Sequence, residues 1–241
     1  MNIVTTSLDK LLHRWEFWIF ILSTAPFVLF PALDLKVSAL FYANGHFYWA
    51  SAIFSMIIYK LFLYLKYLLI PILLCPLIWL YRRKLRASHQ QRFWRKRLLF
   101  LALVLAIGPG LITNIILKDH SFGRPRPIQV SEFGGRDQFS PALHYSGQCH
   151  RNCSFVSGHA ALAFYLIALA WALGKRRLLY AGIALGLMVG FVRIIQGGHF
   201  LSDVIFAFWV DYLTCAILAN AFHYPSLIPP IAFEFNFRSI Y

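Results

Sequence analysis

Three short segments of the chain combine cationic, hydroxyl and imidazole side chains of the kind that bind and transfer phosphate. The first, Lys118–Pro127, carries three cations within nine residues; the second is Val156–His159; the third is Arg193–Asp203. Arginine forks match phosphate oxygens bidentately, and lysine adds a point charge. Apolar runs separate the three segments, so the fold has to bring them together.

In the third segment, a histidine and an aspartate are spaced to meet on one helix face. Asp203 follows His199 by four residues, and Gly197 and Gly198 stand immediately before the histidine. A carboxylate one turn along fixes the imidazole tautomer and favours nucleophilic attack, while the glycines let an anion approach the backbone. An arbitrary His-x-x-x-Asp pair more often packs a helix end, so this segment does not establish catalysis by itself.

The other two segments also have simpler interpretations. Ser157 and Gly158 at a helix start offer a hydroxyl and unpaired N–H groups to an anion, and His159 adds a proton donor. Alone, this pattern is ordinary helix capping. The cations that begin at Lys118 can equally contact lipid headgroups. Three such segments on one membrane face are harder to explain in that way.

The composition indicates an integral membrane protein. The 241 residues are 59% hydrophobic and 13% charged, with a mean hydropathy of +0.62, outside the range of soluble globular chains. A formal charge of +14 raises nucleic-acid binding. The charge sits between apolar runs and not on a soluble basic face, so we exclude nucleic acid as a partner.

We predict an all-α integral membrane protein of six transmembrane helices, forming a single domain over residues 1–241. An apolar helix needs about 20 residues to cross the bilayer. The predicted spans are Phe17–Leu33, Ile57–Tyr81, Leu98–Leu117, His159–Leu173, Leu178–Ile195 and Leu201–Phe222. The long loop between the third and fourth spans is the predicted extramembrane active-site loop.

The positive-inside rule orients these spans. The basic run Arg82–Arg97 and the turn Lys175–Arg177 are predicted to be cytoplasmic. Six crossings then place both termini in the cytoplasm, with Lys10 and Arg14 at one end and Arg238 at the other. The three segments face the opposite side, and we expect the first span to be uncleaved because no signal-peptide cleavage site is evident.

Two cysteines lie in the loop on that side. Cys149 and Cys153 can close a small disulfide ring in an oxidising compartment such as a bacterial periplasm. A zinc site with His150 and a pair of free thiols are the alternatives, and zinc lacks an obvious fourth ligand.

Together the three segments resemble the motifs of the type 2 phosphatidic acid phosphatase superfamily: Lys-x6-Arg-Pro, Pro-Ser-Gly-His and Ser-Arg-x5-His-x3-Asp. The resemblance implies that His199 attacks phosphorus to form a phosphohistidine, that Asp203 orients it, and that His159 protonates the leaving oxygen. The implied phosphate ligands are Lys118, Arg126, Ser157, the Gly158 N–H and Arg193, with Arg124 as a further candidate. It implies no metal and no other cofactor.

The chain departs from these motifs at three positions. Five residues separate Lys118 from Arg124 and seven separate it from Arg126, so neither gives the family's six. A one-residue bulge and an exchange of the arginines' roles are both open. Val156 replaces the usual proline, and Val192 replaces the serine before the third-segment arginine.

Within the superfamily, the runs Cys149–His159 and Gln196–Asp203 resemble the bacterial lipid A 1-phosphatase branch. That branch removes the 1-phosphate of lipid A at the periplasmic face of the inner membrane, where substrate arrives from the bilayer. Undecaprenyl pyrophosphate and phosphatidylglycerophosphate phosphatases share the core motifs, and a lipid phosphotransferase would use the same intermediate. A transporter or membrane scaffold is the non-enzymatic alternative. The sequence predicts no oligomeric state.

Overall fold

The computed structural model describes residues 15–82 and 88–227. The helices are α1 (Trp15–Leu29), α2 (Ala32–Ala39), α3 (Ile53–Arg82), α4 (His89–Leu105), α5 (Gly158–Phe164), α6 (Ile167–Leu173), α7 (Arg176–Ile195) and α8 (Leu201–Ala221). Helix α4 continues as a π-helical segment, Ala106–Asp119, and 3₁₀ turns cover Pro127–Gln129 and Ser131–Phe133. Several cations used to predict the membrane orientation lie outside the described residues: Lys10, Arg14, Arg83, Lys84, Arg86 and Arg238.

The chain is a mostly helical, multi-pass membrane protein. Within residues 15–82 and 88–227, four helices are long and apolar enough to cross a bilayer: α3, α4 with its π-helical continuation, α7 and α8. Helices α1 and α2 add a fifth span if they count as one, although they are bent by 89° at the break between them. These correspond to five of the six predicted spans.

The remaining predicted span, His159–Leu173, is divided in the structure. It consists of α5 and α6 with a break at Tyr165–Leu166. At 1.5 Å per residue, 158–173 rises about 24 Å, less than the roughly 30 Å of a hydrocarbon core. The six-span count, the membrane side of the loop and the single domain over 1–241 therefore stay predictions.

Helix α7 packs closely against its neighbours through glycines four residues apart. A Cβ at Gly186 would lie 2.0 Å from Cδ1 of Phe164, and one at Gly190 would lie 2.2 Å from Cγ1 of Val204. Small residues at this spacing let membrane helices approach closely. The contact brings the C-terminal end of α7 beside the start of α8, where Arg193 and His199 lie.

A small aromatic cluster covers the same end of the helices. Strands β1 (Tyr42–Ala43) and β2 (His46–Phe47) pair antiparallel around an Asn-Gly turn, a favoured hairpin sequence. The buried Phe47 packs with Phe133 and Phe200. The hairpin and the long loop thus close over the turn that carries His199.

Candidate active site

The nucleophile candidate, His199, is fully buried in the turn between α7 and α8. Its Nδ1 lies 2.8 Å from the carbonyl oxygen of Ser154. A carbonyl only accepts, so Nδ1 carries the proton and Nε2 keeps its lone pair. Within the described residues Nε2 has no hydrogen-bond partner. This arrangement suits nucleophilic attack.

Burial lowers the pKa of His199 well below its usual range, and Lys118, Arg126 and Arg193 lower it further. The imidazole is therefore neutral at pH 7. His159 contributes in the same direction. Because electrostatic effects between side chains require proximity, these four groups indicate that all three sequence segments converge on this ring.

Asp203 lies beside His199, but the direct contact differs from the expected one. Its carboxylate is 3.5 Å from Nδ1 of His199, whereas the Ser154 carbonyl is at hydrogen-bond distance. Asp203 instead accepts from the Ser154 hydroxyl at 2.5 Å and from the Phe200 N–H at 2.8 Å. Its carboxylate is therefore linked to the ring mainly through Ser154, which bonds both residues.

Arg124 does not fit its expected role as a phosphate ligand. It is fully buried and donates to the Ser140 carbonyl, to the Ser202 hydroxyl, and to Asp34 and Asp203, all at 2.7–2.8 Å. Four of the five N–H donors of this buried guanidinium are thus taken up by oxygen atoms of the protein. We call Asp34, Arg124, Ser154, Ser202 and Asp203 the Arg124 network.

Arg126, the second arginine of the first segment, lies at a pocket. It lines a pocket together with Lys118, and Asn152 holds its guanidinium by a backbone carbonyl at 2.9 Å from Nη2. Arg124 does not line this pocket, so these contacts give no support to an exchange of the two arginines' roles.

Arg193 and His159 meet on the two sides of one tyrosine. The Tyr59 ring stacks on His159 with centroids 4.8 Å apart, and the Arg193 guanidinium lies 4.8 Å from the same ring. Nε of Arg193 and Nε2 of His159 have no hydrogen-bond partner among the described residues. A Cβ at Gly198 would lie 2.2 Å from Arg193 Nη2, so the missing side chain leaves room for the guanidinium.

Ser157 and Gly158 begin α5 as predicted from the sequence. The Ser157 hydroxyl accepts from the Ala160 N–H at 3.4 Å, and the backbone N–H of Ser157 donates to the Asp203 carbonyl at 3.1 Å. The hydroxyl hydrogen and the Gly158 N–H at the helix start are left for an anion.

The loop cysteines are joined by a disulfide between Cys149 and Cys153. Neither sulfur is then a thiolate, so the alternative zinc site with His150 does not form. The next residue, Ser154, supplies the carbonyl that orients His199, and Asn152 inside the ring supplies the one that holds Arg126.

A cavity of about 400 Å³ leads from these groups into the helical bundle. Its polar end is lined by Lys118, Arg126, Asn152, Gly158 and His159. The rest of its lining is largely apolar and comes from α3, α4 with its continuation, and α5. Such a cavity suits a ligand with an anionic head and hydrocarbon chains.

Comparison with known proteins fits these observations. The sequence profile of the PAP2 superfamily matches residues 97–226. The chain belongs to the PAP2 superfamily. It is 44% identical to lipid A 4′-phosphatase of Francisella tularensis subsp. novicida over 117 residues, which cover 47% of this chain and 52% of that protein.

Two further relatives come from rhizobia. Lipid A 4′-phosphatase of Rhizobium leguminosarum is 43% identical over 121 residues, 48% of this chain and 51% of that protein. Lipid A 1-phosphatase of Rhizobium johnstonii is 32% identical over 131 residues, 53% of this chain and 49% of that protein. The chain thus spans about half the length of the curated relatives it matches. No solved structure matched significantly.

Three groups in this PAP2 site were missed by sequence reasoning. Ser154 and Tyr59 carry no signal, since a serine after a cysteine and a tyrosine in an apolar helix are ordinary. Asp34, a carboxylate directly after an apolar run, is the one that could have been found, because such residues near membrane segments are functional candidates. It lies outside the matched range and binds Arg124 and Ser202 from α2.

Proposed function

We propose that this PAP2 chain is a lipid phosphatase that hydrolyses a phosphate monoester of lipid A. The observation that carries the proposal is His199: its Nδ1–H is held by Ser154, and its Nε2, near three cations, has no partner in the described part of the chain. The amphipathic cavity lined by Lys118, Arg126 and His159 supports a lipid substrate, as do the relatives named for lipid A.

The proposed reaction has two steps. Nε2 of His199 attacks phosphorus in line with the leaving oxygen, and His159 donates a proton to that oxygen, releasing the dephosphorylated lipid and leaving a phosphohistidine. Water, deprotonated by His159, then releases inorganic phosphate. No step requires a metal.

The residues around phosphorus divide the remaining work. Lys118, Arg126 and Arg193 hold the phosphoryl oxygens, with the Ser157 hydroxyl and the Gly158 N–H completing the set. These donors stabilise charge on the equatorial oxygens in the transition state, where fixed donors in a water-poor site act most strongly. Asp203 stabilises the histidine as it becomes positive.

The relatives bear on which phosphate is removed. The sequence predicts the 1-position, but the 4′-phosphatases share 44% and 43% identity and the 1-phosphatase 32%. The identities favour the 4′-phosphate, and the 1-phosphate is the second candidate. Undecaprenyl pyrophosphate, phosphatidylglycerophosphate and phosphatidic acid complete the panel of substrates to be compared.

Purified protein in detergent micelles, given this panel, tests the proposal. We expect inorganic phosphate from lipid A and a product mass lower by one phosphate, whose fragmentation identifies the position. Turnover of the isoprenoid but not of lipid A would overturn the substrate choice. Transfer of phosphate to a second lipid with none released would indicate a phosphotransferase. No turnover on any lipid would leave a transporter or scaffold.

We also propose six spans in the bacterial inner membrane, with both termini cytoplasmic and the site periplasmic. In support, the cationic ends of α3 and α7, at Arg82 and Arg176, lie at the ends of those helices away from the site. A membrane-impermeant maleimide should label Tyr145→Cys in intact spheroplasts and Lys175→Cys only after lysis. The reverse pattern would contradict this orientation.

A further inference from the structure

One cation of the cavity has no part in the proposed reaction. Helix α3 lines the cavity with one face, formed by Tyr59, Phe62, Leu63, Lys66, Ile70, Leu73 and Leu74, a spacing of three and four residues. Lys66 is the only cation of this face. The other lysine of α3, Lys60, is exposed and does not line the cavity.

Lys66 lies between the phosphate-binding end and the apolar end of the cavity. It follows Tyr59, which stacks on His159, by seven residues, or about 10 Å along the helix axis. Ile70 and Leu73 continue the wall beyond it for a similar length. Helical side chains tilt towards the N-terminus, which for Lys66 is the direction of Tyr59.

The surroundings of Lys66 leave its charge uncompensated. Its ammonium lies 5.0 Å from the centre of the Tyr67 ring, a weak attraction at an exposed site. Within the part of the chain that the structure describes, no carboxylate pairs with it. A lipid that fills the cavity displaces water from this ammonium, and an unpaired charge in hydrocarbon is costly.

The occupant therefore has to bring oxygen acceptors to this level of the cavity. Acylated lipids do so, because ester or amide carbonyls and hydroxyls stand between their phosphate and their hydrocarbon chains. A polyprenyl phosphate offers only hydrocarbon beyond its phosphate. The two classes thus differ at the level of Lys66.

We propose that Lys66 binds the carbonyl or hydroxyl oxygens next to the acyl chains, and so selects acylated lipid phosphates over prenyl phosphates. This inference rests on the proposed function, since it assumes that phosphate occupies the polar end of the cavity. It adds a substrate class and a specificity-determining residue outside the three sequence segments.

Two phosphate monoesters test it: dioleoyl phosphatidic acid and farnesyl phosphate, each in detergent micelles with wild type, Lys66→Met and Lys60→Met. We expect Lys66→Met to lower kcat/KM for phosphatidic acid by about tenfold, as for loss of a hydrogen bond to a charged group. The same variant should keep or increase kcat/KM for farnesyl phosphate. Methionine keeps an unbranched side chain, and the position is exposed, so folding should be preserved.

The matched variant separates this role from a general effect of charge on α3. Lys60→Met removes the same charge from the same helix and should change neither substrate. An equal loss on both substrates with Lys66→Met, or no loss on either, would overturn the inference and indicate a lysine that only reaches the membrane interface. Failure of the proposed function itself would differ, because wild type would then hydrolyse neither monoester and would release no phosphate from lipid A. Turnover of lipid A with none of phosphatidic acid would overturn the selection of acylated lipid phosphates as a class.

Discussion

The Arg124 network and the phosphate-facing groups beside it show two opposite uses of buried polar residues. In the network, Arg124 donates four hydrogen bonds, and Asp34 and Asp203 each accept at least three. Among the groups proposed to face the phosphate, Nε2 of His159, Nε2 of His199 and Nε of Arg193 have no hydrogen-bond partner within residues 15–82 and 88–227.

The difference teaches which residues position and which react. A saturated buried network gains little from a ligand, but it holds its members rigidly. Buried polar atoms without a partner are costly until a ligand satisfies them, so they are expected where a ligand binds. Two arginines two residues apart differ in a related way: Arg124 binds two buried carboxylates, whereas Arg126 binds the Asn152 carbonyl and lines the cavity.

The largest effect should come from replacing the nucleophile. His199→Ala is expected to reduce phosphate release by at least about a thousandfold, as removal of a catalytic nucleophile does elsewhere. Phosphate release from lipid A measures it. Activity within tenfold of wild type, in a variant whose thermal unfolding is unchanged, would contradict a phosphohistidine mechanism.

The two arginines should respond in opposite ways. Arg126→Met is expected to lower kcat by about a hundredfold, as loss of a transition-state donor does, with little change in thermal unfolding. Arg124→Met leaves two buried carboxylates without their cation and should lower the free energy of unfolding by about 3–5 kcal/mol.

Two assays compare these variants. Tryptophan fluorescence follows their unfolding in detergent, and phosphate release measures their activity. Arg124→Met with a normal melting temperature, or Arg126→Met with a strongly reduced one, would reverse the assignment of the two arginines.

A smaller effect is expected where the backbone makes room for a cation. Gly198→Ala places a Cβ 2.2 Å from Arg193 Nη2 and should lower kcat/KM about tenfold, because displacing a positioned group is costly. Gly174→Ala is the matched control, since that glycine has a φ of 64° and open space around it. It should affect stability alone, and equal losses of activity would refute the explanation.

The smallest effect concerns pH. Because burial lowers the pKa of His199, the folded protein leaves this imidazole neutral where the unfolded chain protonates it, below about pH 6.5. The free energy of unfolding should therefore fall as pH decreases from 6.5, by up to about 1.4 kcal/mol per unit from this residue.

Thermal unfolding between pH 5 and 7 compares wild type with His199→Gln, which removes the titrating group. The stability of the variant should depend less on pH, because the titrating imidazole is gone. The charged and titratable groups Lys118, Arg126, Arg193 and His159 face this side chain in both proteins, so they do not cause the difference. Identical pH dependence would mean that His199 is not buried as a neutral base.

The membrane class and the helix start at Ser157–Gly158 followed from residue types and spacing. Both depend on local patterns that persist in the fold. The role of Arg124 did not follow, because its partner Asp34 lies 90 residues away and neither residue's neighbours reveal the contact. The bend of 89° between α1 and α2 did not follow either, since such a bend leaves no clear signal in hydropathy.

The sequence by itself determined the chemistry: a histidine, an aspartate and three cations in segments whose spacing matches the PAP2 motifs, within a chain apolar enough for the bilayer. The tertiary structure decided which of the cations are bound to carboxylates. It placed Arg124 between Asp34 and Asp203, and it placed Arg126, Lys118 and Arg193 near His199, whose Nε2 has no partner among the described residues. Hydrogen-bond saturation depends on distant partners, and only the packed helices bring those partners together.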